Sequence, residues 1–227
     1  MNSELLHTRI GAVGLVLGAL TFGVGDLLRR TVEPDSPTGL TLTAAAKEHP
    51  ATWLAAALLV LSASFLIVPG TVAAARWVHG RGERLTALGA YLLAGGMIAS
   101  VLHVAGYYGL YAILAGSDAD PAAITSIDAQ SESYPLFVLG IIGFVVGTML
   151  GTILLSIGLR RARRVPIWVP FAAVVFVVAG TVSGVPAGVV GLLAALGSLA
   201  TIGVGILRDP TPAPRSAPAP ETDAVTS

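Results

Sequence analysis

Of the 227 residues, 54% are hydrophobic and only 11% are charged, about half the charged fraction of a soluble globular domain, so the chain reads as a membrane protein. Its 13 basic and 13 acidic residues cancel, which leaves no overall field to recruit nucleic acid. Cysteine is absent, and disulfide frameworks, thiolate metal sites and cysteine nucleophiles are absent with it.

Residues 10–28 form the first apolar segment, entered at Arg9 and carrying Gly14 and Gly18. A membrane helix needs about 17 to 25 such residues. A cleaved signal peptide competes for the same stretch, although Gly23-Val24-Gly25 is a poor match to a small-residue cleavage site. Asp26, Arg29 and Arg30 lead into a polar connection containing Pro34, Pro37, Lys47, Glu48, His49 and Pro50, within which residues 40–48 suit a short surface helix. The second segment, 53–77, has Trp53 and Trp77 at its ends, where amphipathic rings sit at the headgroup level. Pro69-Gly70 lies inside it, so Thr71 or a neighbouring helix must help satisfy the backbone that proline frees.

Residues 85–114 form the third segment, ~45 Å long if helical throughout, so it must tilt or project beyond the bilayer. The connection 116–133 carries Asp118, Asp120, Asp128 and Glu132 with no Lys or Arg. The fourth segment, 134–159, ends in Arg160, Arg161, Arg163 and Arg164. The fifth, 166–182, and the sixth, 187–207, are joined by an uncharged turn at Ser183-Gly184-Val185-Pro186 and read as a tight helical hairpin. From residue 208 to 227 the composition turns to Pro, Ala, Ser and Thr, a disordered cytoplasmic tail by composition.

The expected fold is therefore all-α, a polytopic bundle of six transmembrane helices. Basic residues are retained on the cytoplasmic side. Placing both termini inside puts Arg9, Arg76, Arg81, Arg84, the arginines of 160–164, Arg208 and Arg215 there and leaves only Arg29, Arg30 and Lys47 outside. Arg29 and Arg30 dissent, unless the first segment inserts poorly or Asp26 pairs with one of them. Gly143, Gly147 and Gly151 recur every four residues in the fourth segment, a smooth face against which another backbone can pack, within the chain or in a homodimer or partner protein. Gly180, Gly184 and Gly188 continue the same spacing through the hairpin.

Ser100 to Tyr111 is the one apolar stretch with an imidazole and a phenol cluster. At 100° per residue, Tyr107 falls about 40° from His103 and Gly96 about 20°, whereas Tyr108 points roughly 140° away. An ionisable residue in a span is a functional candidate by default. Three readings stay open for His103: a packing hydrogen bond to Ser62 or Ser64, an outward-facing polar pocket, and metal or haem ligation, the last normally needing a second axial ligand. The candidate ligand-binding residues are His103, Tyr107, Tyr111, Ser100 and Asp26, which Glu48 and His49 could join at the outer rim. Apart from Asp26 the spans contain no internal carboxylate, lysine or arginine, which weighs against ion-coupled transport. No hydrolase, metalloprotease or phosphate-loop motif is present, so no catalytic residue, metal ligand or cofactor is assigned.

Asp26-Leu-Leu-Arg29, His49-Pro50 before Trp53, Val68-Pro69-Gly70, and Gly80-Arg-Gly-Glu-Arg-Leu85 leading to Gly89 together resemble a group of uncharacterised six-helix membrane proteins of GC-rich bacteria. The resemblance spans residues 10–207 and implies topology only. A single lysine and a single asparagine among abundant Ala, Gly, Val and Arg fit such a source. The expectation is a non-enzymatic, multi-pass protein of the bacterial inner membrane, embedded in the lipid bilayer, that binds a small ligand or acts as an interaction subunit. A small permease-like transporter is the alternative, and a membrane redox or lipid enzyme the third reading.

Overall fold

A computed structural model describes residues 3–210; the expected tail, from residue 211 on, lies outside the described residues. Those residues are mainly helical, with no strand among them. Helix α1, Ser3–Val32, is longer than the apolar segment at both ends. Glu4 in its first turn and Arg29 and Arg30 in its last complement the macrodipole. Helix α2, Gly39–Glu48, starts in a capping box in which the Thr38 and Thr41 side chains each accept the other's backbone N–H. Helix α3, Pro50–Arg76, opens on a proline at its first position, where the missing N–H costs nothing. It stays helical through Pro69, and Thr71 Oγ1 donates to Val68 O at 2.7 Å.

Helix α4, Glu83–Ala115, runs for 33 residues with a π turn at Ala105–Gly109. The acidic connection contains a helix that composition did not reveal, α5, Pro121–Ser133, capped by the Asp120 side chain accepting from Ala123 N at 2.7 Å. Helices α6, Pro135–Arg161, and α7, Trp168–Thr181, follow. Helix α8, Val185–Arg208, completes the set. Helices α1, α3, α4, α6 and α8 are long and apolar enough to cross a membrane. Helix α7 has 14 residues, ~21 Å, against a hydrocarbon core of about 30 Å. The fifth expected span is thus a shorter apolar helix.

Two glycine-lined seams hold the bundle. A Cβ on Gly14 of α1 would lie 2.4 Å from Leu66 O of α3, and one on Gly96 of α4 would lie 2.6 Å from Thr148 N of α6. Gly147 and Gly151 belong to the second seam, their added Cβ atoms falling 2.6 Å from Gly96 Cα and 2.4 Å from Leu93 N, while Gly143 is looser, 3.1 Å from Ala99 Cβ. Helix α4 therefore fills the Gly147 and Gly151 face, which leaves no room there for a second copy. The second glycine series does not form a face. Gly180 has nothing near it, Gly184 sits in the hairpin turn at φ +91°, and Gly188 packs over Arg30.

Small and branched side chains such as Ala12, Leu15, Ile67, Leu93 and Leu155 are buried between the helices, while Leu17, Phe65, Ile98, Leu139 and Phe171 project outward. Large apolar side chains facing outward along the helices suit a lipid bilayer rather than water.

The seam predicts a sharp contrast between neighbours. Gly96→Leu meets α6 backbone and is expected to destabilise by about 1–3 kcal/mol, whereas Gly95→Leu enters open space and changes little. Thermal unfolding of the detergent-solubilised variants checks this; equal losses at both positions would contradict the packing.

Candidate functional site

The site grows from the end of α1. Asp26, Arg29, Arg30 and Glu33 follow the i, i+3, i+4, i+7 spacing that sets side chains on one helical face, and Glu33 N still donates to Arg29 O just past the helix end. Arg29 Nη2 donates to Asp26 Oδ1 at 2.7 Å and Nη1 to Glu33 Oε2. Arg30 Nε donates to Asp26 Oδ2 at 2.7 Å. The far side of the Arg30 guanidinium reaches Ala179 O at 3.2 Å and Val182 O. These carbonyls lie at the C-terminus of α7, where a cation satisfies unpaired acceptors and opposes the helix dipole. The Arg30 side chain is 3% exposed. At the other end of the chain of contacts, Tyr107 Oη donates to Glu33 Oε1. One charge-balanced relay therefore runs from α4 through α1 to α7.

Tyr107 belongs to the π turn of α4. The wider turn changes the helical register, so Tyr108, expected to point away from His103, borders the same cavity as His103 and Tyr107. Trp53 of α3 holds the turn in place. Its ring stacks on Tyr107 with centroids 5.7 Å apart, and its Nε1 donates to Tyr108 O at 3.0 Å.

The cavity, about 260 Å³, lies among α1, α4, α6 and α7. Phe22, Phe144, Phe176 and Tyr108 supply aromatic walls, and Asp26, Arg29 and His103 supply its polar lining. His103 and Tyr107 also border a second cavity, about 220 Å³, whose far wall carries Tyr111, Asp128 and Glu132. His103 and Tyr107 thus border both spaces. Over the second, Asp128 of α5 accepts from Tyr111 Oη at 2.6 Å and from Gly39 N at 2.7 Å, clasping α5 and α2 to the bundle.

Asp26, His103 and Tyr107 of the expected set share the first cavity, and Tyr111 lines the second. Ser100 borders neither. It is fully buried and forms a 2.5 Å hydrogen bond with Ser64 across the α3–α4 contact. The serine partner expected for His103 is thereby taken by Ser100, and Ser62 bonds its own helix at Leu58 O. The His103 imidazole instead stacks on Phe144, centroids 5.2 Å apart and 16° between planes. Glu48 and His49 line neither cavity.

The expected absence of charge concerned the interior of the spans; the charges found beside Asp26 gather at the end of α1. Helix α1 continues through Arg29 and Arg30, and their pairing with Asp26 and Glu33 gathers four charges at its C-terminal end, with Arg30 the buried one. The same pairing explains the two arginines that dissented from the charge asymmetry. Sequence reasoning missed Glu33, Tyr108, Phe144 and Asp128. Only the first had a readable signal, its helical spacing from Asp26 and Arg29.

Among the described residues no three His, Cys, Asp or Glu side chains gather as a metal-holding group. The donor set suits a small molecule held by stacking and one or two hydrogen bonds, with Arg29 offering donors and Asp26 an acceptor in a neutral pair. Comparison with family models, curated proteins and solved structures gave no match.

Proposed function

We propose that the protein is a non-enzymatic, multi-pass membrane protein that binds a small, uncharged, mainly apolar ligand in the cavity beside His103. The observation that carries this reading is the pairing of an aromatic wall with a charge-balanced polar end, Asp26 with Arg29. Apolar pockets with a few placed polar groups are the usual form of a ligand site. Because the Asp26, Arg29, Arg30 and Glu33 charges cancel, a charged ligand gains no net Coulomb attraction, while a hydroxyl, carbonyl or amide can hydrogen-bond. Stacking on His103 and the phenylalanines favours a flat or ring-bearing body.

A permease-like transporter is the second reading. It is favoured by the two cavities that share His103 and Tyr107 as lining, an arrangement in which movement of these two side chains would join them.

In either reading the protein lies in the bacterial inner membrane with six apolar helices and both termini in the cytoplasm. Arg76, Arg81, Arg84 and Arg160 to Arg164 collect at one end of the bundle, and Asp118, Asp120, Asp128 and Glu132 at the other, in accord with retention of basic residues inside.

Native mass spectrometry of the gently solubilised protein is expected to reveal a co-purifying neutral adduct. His103→Ala should lower its occupancy about tenfold, the loss of roughly 1.4 kcal/mol, with the unfolding midpoint nearly unchanged. An adduct retained in full by His103→Ala, or none in the parent, would sink the binding reading. Transport is tested in proteoliposomes, where solute flux above protein-free vesicles is expected only for a permease. For orientation, a reporter active only outside the cytoplasm should be active when fused near Asp120 and silent at Arg163; the reverse pattern would invert the topology.

A further inference from the structure

The end of the bundle opposite the His103 cavity holds a second built recess, about 380 Å³, where the α3–α4 and α6–α7 connections meet. His79 and Arg81 come from the first connection, Arg161 from the last turn of α6, and Arg163 and Arg164 from the second connection, over an apolar floor of Val78 and Ala162. Arg164 is committed to internal contacts. Its Nη1 lies 2.8 Å from Asp209 Oδ2 and its guanidinium sits 5.3 Å from the Trp77 ring centroid. His79 faces Glu83 at 3.7 Å. Among the described residues, no carboxylate lies within ion-pairing distance of Arg81, Arg161 or Arg163.

Three features make this more than a basic surface. The connections are pinned together. Gly82, at φ +89°, lies so close to the last turns of α6 that an added Cβ would sit 2.3 Å from Gly158 O, and Trp77, 3% exposed, donates from Nε1 to Asp209 O at 2.7 Å. Arg163 is the only non-glycine residue with positive φ, +58°, among the described residues. It ends α6 in a Schellman-like turn in which Arg164 N donates to Leu159 O and Arg163 N to Arg160 O. Glycine is the residue this position ordinarily takes, and a side chain there costs about 1–2 kcal/mol. An outlier of that kind is a lead to function. Finally, every strong base in the recess is arginine, whose planar fork matches phosphate oxygens in pairs, and the chain's one lysine, Lys47, belongs to another cavity.

We infer that this recess binds a phosphate-bearing anion, with Arg81, Arg161 and Arg163 as its direct ligands. The chemistry fits the phosphodiester of an anionic phospholipid headgroup and equally a soluble phosphate compound. Basic pockets between membrane helices on the cytoplasmic side hold such headgroups. The site is independent of the His103 cavity and stands if that reading fails.

The test uses the full-length protein in detergent, offered phosphatidylglycerol or phosphatidylethanolamine and followed by native mass spectrometry. Phosphatidylglycerol should be retained over phosphatidylethanolamine, and the combined Arg81→Gln, Arg161→Gln, Arg163→Gln variant should weaken its retention about tenfold or more. Arg76→Gln with Arg84→Gln, outside the recess, should not. Arg163→Gly, which relieves the backbone, is expected to raise the unfolding midpoint while lowering retention. Inorganic phosphate and pyrophosphate serve as competitors. Displacement of the lipid identifies the phosphate group itself as what is recognised and a soluble phosphate compound as a source, and binding that resists both identifies the intact lipid headgroup. Undiminished retention in the triple variant, equal retention of both lipids without competition by phosphate, or an equal loss in the Arg76/Arg84 control would overturn the assignment.

Discussion

A guanidinium withdrawn from water has to be given every contact that water would have supplied, and Arg30 is 6% exposed. It receives them from Asp26 on its own helix and from the carbonyls that end α7. Removing one partner of such a buried pair leaves an uncompensated charge, which costs about 3–5 kcal/mol. The arrangement is therefore held as a unit. Asp26 cannot move without releasing Arg29, and Arg29 cannot move without releasing Glu33, which holds Tyr107. Three helices distant in sequence are tied by one charge-neutral chain.

That chain bridges two separately packed pairs. Glycine seams draw α1 onto α3 and α4 onto α6 until backbones touch, contacts that gain from dispersion because lipid offers no hydrophobic driving force between helices. Where α1, α4, α6 and α7 part, the relay lines one end of the space left between them, and Phe22, Phe144 and Phe176 line its walls. The cavity lies where α1 is joined to α4 and α7 through long polar side chains rather than by close backbone contact. The π turn belongs to the same arrangement, since it brings both Tyr107 and Tyr108 to the space that a regular helix would offer only one of them.

Much of the fold was legible because it is written in local pattern. Apolar runs located the long helices, residues 40–48 suited a short helix, and the Gly143, Gly147, Gly151 spacing marked a packing face. What remained hidden depended on tertiary contacts. Nothing local distinguishes His103 from Ser100 as the partner of Ser64, and no periodicity argument anticipates a π turn that moves Tyr108. Arg29 and Arg30 read as loop charges because the apolar run stops before them. Their helical spacing to Asp26 and Glu33 was present in the sequence, but only the carbonyls of α7 explain why Arg30 can be buried. Helix α5 was concealed by its polarity, as it lies on the bundle rather than inside it and needs only Asp120 at its start and Asp128 facing inward.

The interdependence of the relay is measurable as a coupling energy between Asp26 and Arg30. A double-mutant cycle with Asp26→Asn, Arg30→Gln and the pair, read from reversible unfolding in detergent, isolates it. If the two side chains act as one unit, the double variant will be less destabilised than the sum of the single variants by about 1–3 kcal/mol. Additive losses, agreeing within about 0.5 kcal/mol, would contradict the central role given to this chain of contacts.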